Sequence, residues 1–154
     1  MALDDLYREV ILDHYAHPRN RGRLDPADLT VEGANPLCGD ELVLSVRLEG
    51  DRVVAARFEG RGCSISQASA SMLTEAITGK SVDEVRGLIG AFKAMMRGAG
   101  PADSLGDLAA LQGVRKFPVR IKCATLAWVA LEQGLDERAA GRAPTRTTTE
   151  TDPA

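Results

Sequence analysis

The chain has 154 residues, 44% of them hydrophobic, and a formal net charge of −3. That length suits one domain with its own core, and no basic cluster supplies the phosphate neutralisation on which nucleic-acid binding rests. The opening MALDDLYREV carries two aspartates where a secretory leader would be positive, and no apolar run nears membrane-spanning length. A cytoplasmic protein with no nucleic-acid or membrane partner is therefore expected.

Residues 3–17 predict an amphipathic helix, with Leu3, Leu6, Tyr7, Val10, Ile11 and His14 recurring at the helical period. Pro18 ends it, and Pro18 to Arg23 reads as a polar, basic turn. Three strands are expected next. Leu29 to Val31 is short. Glu41 to Leu48 turns Leu42, Leu44, Val46 and Leu48 to one face, and Arg52 to Phe58 does the same with Val54, Ala56 and Phe58. Glu49-Gly50-Asp51 suits the hairpin turn between the last two.

The remainder reads as mostly helical. Ser64 to Thr78 carries a stripe of Ile65, Ala68, Met72, Leu73 and Ala76, closed by Gly79. Ser81-Val82-Asp83-Glu84 is a capping-box pattern opening a helix with Val85, Leu88, Ile89, Phe92 and Met96 inward. Gly98 to Pro101 breaks it, and Asp103 to Gln112 suggests a short helix. Pro118 suits the first turn of a last helix ending near Gln133, with Gly134 after it. One domain over 1–138 is expected, followed by a disordered tail over 139–154 with almost no large apolar residue. Met72, Met95 and Met96 read as core filler. His14 reads as a satisfied helix-face residue and His17 as a surface one, neither with a metal role.

The three cysteines are an odd number and cannot all pair within the chain. Cys38 lies in Asn35-Pro36-Leu37-Cys38-Gly39-Asp40, before a strand. In extended backbone, positions i and i+2 share a side, so Cys38 and Asp40 can face one ion, and Gly39 frees the backbone to aim them. Alternatively, Asp40 caps a turn and Cys38 is incidental. Cys63 follows Gly60-Arg61-Gly62 at a helix start, where partial positive charge favours thiolate, the alternative being a loop cysteine packed under the helix. Cys123 falls three residues after Arg120, which could lower its pKa or hold an anionic sulfur species. Equally, Cys123 could fill an apolar stripe with Val119, Leu126 and Ala127, leaving Arg120 and Lys122 solvated. Three thiolates and one carboxylate would make a tetrahedral site acceptable to zinc, although no C-x-x-C pair is present. A hard carboxylate among soft thiolates suits a site that exchanges a ligand.

Four segments taken in order carry a resemblance. They are Leu12-Asp13-His14-Tyr15 with Pro18-Arg19-Asn20, then Asn35 to Asp40, then Gly62-Cys63-Ser64-Ile65-Ser66, and finally Lys122-Cys123-Ala124-Thr125-Leu126. From about Leu6 to Gln133 the chain resembles the SufU/IscU family of iron–sulfur cluster assembly proteins. IscU-type scaffolds have histidine before the last cysteine, where this chain has Lys122. SufU-type chains carry an extra segment before the last helix, and Arg97 to Arg115 looks like it. Both features favour the SufU branch.

The resemblance implies an α+β fold, SufE/NifU-like and IscU-like, with a three-stranded antiparallel sheet packed against helices. It implies that Cys38, Asp40, Cys63 and Cys123 bind Zn²⁺, with Cys38 as sulfur acceptor and Arg120 as a stabiliser of the charged site or the bound persulfide. It also implies a SufS-type cysteine desulfurase as donor of persulfide sulfur and a Suf-system iron–sulfur scaffold downstream. The chain would then be a sulfur-transfer partner rather than a stand-alone enzyme. Two other readings stand beside this one. In the first, iron or an iron–sulfur cluster is held transiently at the same ligands, making the chain a scaffold. In the second, the zinc is purely structural, which leaves the aspartate ligand unexplained.

Overall fold

The computed structural model describes residues 3–36, 38–141 and 146–148. In chain order these form α1 (Leu3–Ala16), β1 (Leu29–Asn35), β2 (Asp40–Glu49), β3 (Arg52–Arg61), α2 (Ser64–Ile77), α3 (Val82–Met96), a 3₁₀ segment (Asp103–Lys116), α4 (Pro118–Ala139) and β4 (Arg146–Thr148). β1, β2 and β3 make an antiparallel meander, the sheet order being β3-β2-β1-β4. One face of the meander packs on helices, as expected of an antiparallel sheet. Leu42, Leu44 and Val46 of β2 and Phe58 of β3 are buried on that face. None of the described helices is long and apolar enough to cross a membrane.

Two strands depart from the sequence expectation. In β3, Val53 is 2% exposed and Val54 is 36% exposed, so Val53 and not Val54 points inward. The cause is a bulge: Arg47 pairs with Ala55 but Leu48 pairs with Val53, leaving Val54 as an extra residue that shifts the alternation. β1 runs to Asn35 rather than stopping at Val31. Glu32-Gly33-Ala34-Asn35 has weak strand propensity, but pairing with β2 as far as Asn35↔Asp40 recruits it.

Within the expected C-terminal tail, Arg146–Thr148 pair parallel with Glu32–Ala34. β1 is the outer strand of the meander, so its free backbone groups accept a further strand. Residues 142–145 and 149–154 lie outside the described residues, and Ala139 itself is the last residue of α4.

α4 lies against β1, and Gly134 is inside it rather than after it. A Cβ on Gly134 would stand 2.9 Å from Leu29 Cδ1, and one on Gly33 would stand 3.2 Å from Leu126 Cδ1. These glycines set how closely helix and strand approach. Trp128 of α4 stacks on Phe92 of α3 with ring centroids 4.5 Å apart, a contact contributing about 0.5–1.5 kcal/mol beyond burial. Trp128 Nε1 donates to Ser69 Oγ at 3.1 Å, and that hydroxyl donates to the Ala124 carbonyl at 2.6 Å. The buried Ser69 thus fixes α4 against α2 at the residue following Cys123.

The capping box forms as expected: Ser81 Oγ accepts from Glu84 N–H, and the Glu84 carboxylate accepts from Ser81 N–H. The helix expected over 103–112 is instead a 3₁₀ segment to Lys116, kinked at Gly106, with Leu105, Leu108, Leu111 and Val114 buried. Met72, Met95 and Met96 lie in the core.

His14 is buried, and its Nδ1 sits 2.8 Å from Ser71 Oγ. Burial holds its imidazole below the ordinary value of 6.5; Arg19 adds to the lowering, while Glu75, Asp13 and Asp107 oppose it. The unfolded chain therefore binds a proton near pH 6.5 that the folded chain refuses until lower pH. This contribution to stability is complete above the unfolded value and is lost as pH falls through the folded one. His14→Gln should flatten that decline in denaturant melts between about pH 7 and 5. A parallel decline in the variant would contradict this.

Candidate metal centre

The β1–β2 hairpin supplies the first two side chains. Asn35 and Asp40 are its last register pair, and Cys38 N–H donates to the Asn35 carbonyl at 3.2 Å inside the loop. Cys38 and Asp40 converge through this tight turn rather than through a pleat. Gly39 makes the turn in the left-handed region, at φ 70°. A Cβ on Gly39 would meet nothing within 4 Å, so that side of the turn is open, while the neighbouring Cys38 is half-buried.

Cys63 is the N-cap of α2, and its thiol accepts from Ser66 N–H at 3.5 Å. Its own N–H donates to Asp40 Oδ1 at 2.8 Å, tying the start of β2 to the start of α2. Gly62 makes room for this contact: a Cβ there would lie 2.8 Å from Ser66 Oγ and 2.9 Å from Asp40 Cγ. The glycine before Cys63 is thus a cradle for the aspartate.

Cys123 arrives from the second turn of α4 and is fully buried. Its Sγ lies 3.3 Å from Cys38 Sγ. Val119, which the sequence grouped with it in an apolar stripe, is 61% exposed, whereas Leu126 and Ala127 are buried. The donor atoms of Cys38, Asp40 and Cys123 all lie within 4.8 Å of one another. Such spacing suits ligands of one ion at bond lengths of about 2.0–2.3 Å. Cys63 Sγ stands 3.9 Å from Asp40 Oδ2. Among the described residues, no other cysteine, histidine or acidic side chains bring three donors this close.

The thiols are electrostatically unequal. Cys63 is lowered to about 6, first by a hydrogen bond from Cys123 and then by the Ser66 N–H, against burial. Cys123 is pushed up, first by the same hydrogen bond and then by burial. Arg120 is raised by the Cys63 charge and by hydrogen bonding to Cys123, so its guanidinium faces these thiols even though the residue is exposed. His17 is exposed and His14 is bonded to Ser71, so neither joins the group.

Asn35 was not singled out by the sequence, because an Asn-Pro step reads simply as a turn. Its fully buried side chain donates from Nδ2 to Asp40 Oδ2 at 3.3 Å and to Cys123 Sγ at 3.4 Å. Only the strand register, which brings Asn35 opposite Asp40, reveals this role.

Fold and site together define a small α+β domain with a cysteine–aspartate cluster at one end of its sheet, able to hold a metal ion. The family of NifU-like N-terminal domains matches residues 6–137, and the chain belongs to that family. It is 53% identical over 141 residues to the zinc-dependent sulfurtransferase SufU of Bacillus subtilis (strain 168), covering 90% of this chain and 95% of that one. It is 43% identical to the iron–sulfur cluster assembly scaffold protein IscU of Streptococcus pyogenes serotype M1, covering 89% of this chain and 87% of the relative. Among solved structures it resembles one described as a SUF-system iron–sulfur cluster assembly scaffold protein, from Fervidobacterium islandicum AW-1. The TM-score there is 0.80 at 35% identity, with 85% of this chain and 97% of that chain covered.

Proposed function

We propose that this chain is a zinc-dependent sulfur acceptor of iron–sulfur cluster assembly, working in the cytoplasm with a SufS-type cysteine desulfurase and a downstream Suf scaffold. The observation that carries the reading is the convergence of Cys38, Asp40 and Cys123, with Cys38 half-buried in the loop between β1 and β2. Zinc would be held by thiolates from Cys38 and Cys123 and the Asp40 carboxylate, which the structure gathers, with Cys63, outside that three-donor group but 3.9 Å from Asp40, as the proposed fourth ligand. Bound zinc would keep its thiolate ligands deprotonated at neutral pH.

The chain's own chemistry is thiol exchange. The Cys38 thiolate attacks the outer sulfur of the donor's cysteine persulfide. A new S–S bond forms on Cys38, the donor's S–S bond breaks, and the donor cysteine leaves as a thiolate. No external oxidant or reductant is consumed. Arg120, facing the thiols, would stabilise the negative charge that accumulates there.

The purified chain should hold about one zinc ion and raise the turnover of a cognate cysteine desulfurase. Likeness to an IscU scaffold favours a second reading, in which a cluster is built at the same ligands. Iron and acid-labile sulfide in anaerobically prepared protein, with no zinc, would support that reading instead. Lys122, at the position where IscU-type chains have histidine, weighs toward the acceptor.

A further inference from the structure

Asp40 is held at both oxygens. Oδ1 takes the Cys63 N–H at 2.8 Å, and Oδ2 takes the Asn35 amide at 3.3 Å. The same Asn35 Nδ2 reaches Cys123 Sγ at 3.4 Å. The amide nitrogen carries two hydrogens, and it reaches two donor atoms of the proposed site. One donor comes from the hairpin and the other from α4, 88 residues away from Asn35. An asparagine serving only its turn would direct its amide to nearby backbone. This one is completely buried and bridges two separate elements.

We infer that Asn35 is a positioning residue for the metal centre: its side-chain amide holds the Asp40 carboxylate and the Cys123 thiol in register before an ion arrives. The inference rests on the metal-binding reading of the site. Once the thiol loses its proton to a bound ion, carboxylate and thiolate repel each other, and a neutral donor shared by both reduces that repulsion without competing for the ion. It also fixes the free rotation of the carboxylate, which otherwise must be frozen on binding. Outer-shell partners of this kind typically change metal affinity by about 10–100-fold when lost.

Asn35→Leu keeps the side chain's shape and removes the donor. Asn35→Ala removes the same donor in a smaller residue. Zinc affinity by chelator competition should fall about 10–100-fold in both. The visible absorption of Co²⁺ bound in place of zinc should shift, because the geometry of the carboxylate and thiolate around the ion changes. Circular dichroism of the metal-free proteins reports whether the fold is kept. Parent-like affinity and Co²⁺ spectrum in either folded variant would overturn the inference, even with a lowered melting temperature, since Asn35 would then be structural only. A parent chain that binds neither zinc nor Co²⁺ would instead overturn the metal reading beneath it.

Discussion

Replacing Cys38 by alanine is expected to abolish stimulation of a cysteine desulfurase, returning its turnover to the level seen without this chain. The reason is positional. Cys63 is committed to the start of α2, where its thiol accepts the Ser66 N–H. Cys123 is fully buried within α4. Cys38 alone sits on a loop between two strand ends, beside a glycine with open space around it. Its thiol belongs to no helix and is half-buried, unlike that of Cys123. The substitution removes a partly exposed side chain, so the metal-free fold should survive and the loss should be one of chemistry. Stimulation equal to the parent's by Cys38→Ala would show that the acceptor lies elsewhere.

Asp40→Ala should have the second largest effect, and it should appear in two measurements. Asp40 is 1% exposed and accepts from Cys63 N–H and Asn35 Nδ2. Truncating it strands those donors, at about 1–3 kcal/mol for each one left buried. Thermal melting of the metal-free protein should fall by several degrees, at about 2–4 °C per kcal/mol for a chain of this size. Zinc affinity should fall by more than about 100-fold, because losing an outer-shell partner alone commonly costs 10–100-fold. Asp40→Asn keeps an acceptor for the Cys63 N–H and should recover much of the melting temperature but not the affinity. Parent-like zinc affinity in Asp40→Ala would remove Asp40 from the ligand set.

Local signals in the sequence were legible where one residue type does one physical job. The Ser81–Glu84 capping box, the Glu49–Asp51 hairpin turn and the helix starting after Cys63 all form as their side chains dictate. His14 is the satisfied helix-face residue that the sequence implied. The misses share a different cause. Val54 points outward because a bulge, set by pairing with β2, changed the alternation. Gly134 sits inside α4 because Leu29 needs its missing side chain, a requirement visible only once strand and helix are packed. β1 extends to Asn35 because pairing with β2 recruits Glu32 to Asn35, not because of their own propensity.

The same division runs through the candidate site. Cys38 and Asp40 are two residues apart and were expected to pair, although a turn at Gly39 and not extended backbone brings them together. Cys63 announced itself by its glycines and its helix start. Cys123 could not be placed from its neighbours, since an apolar stripe and a functional position look alike in one helix. The contact with Cys38, 85 residues away, depends on Ser69 holding α4 against α2. The resemblance supplied that association in advance, and the structure brings the two sulfurs to 3.3 Å. Asn35 lay between the two kinds of signal, named in a motif but without an assigned role.

Sulfur is proposed to pass to Cys38 of the cysteine–aspartate cluster. The most direct measurement mixes the zinc-loaded chain with a cysteine desulfurase and cysteine, traps persulfides by alkylation and maps the added sulfur by peptide mass spectrometry. One extra sulfur is expected on the peptide containing Cys38. Extra sulfur on Cys63 or Cys123 with Cys38 unmodified, or on none of the three, would contradict it.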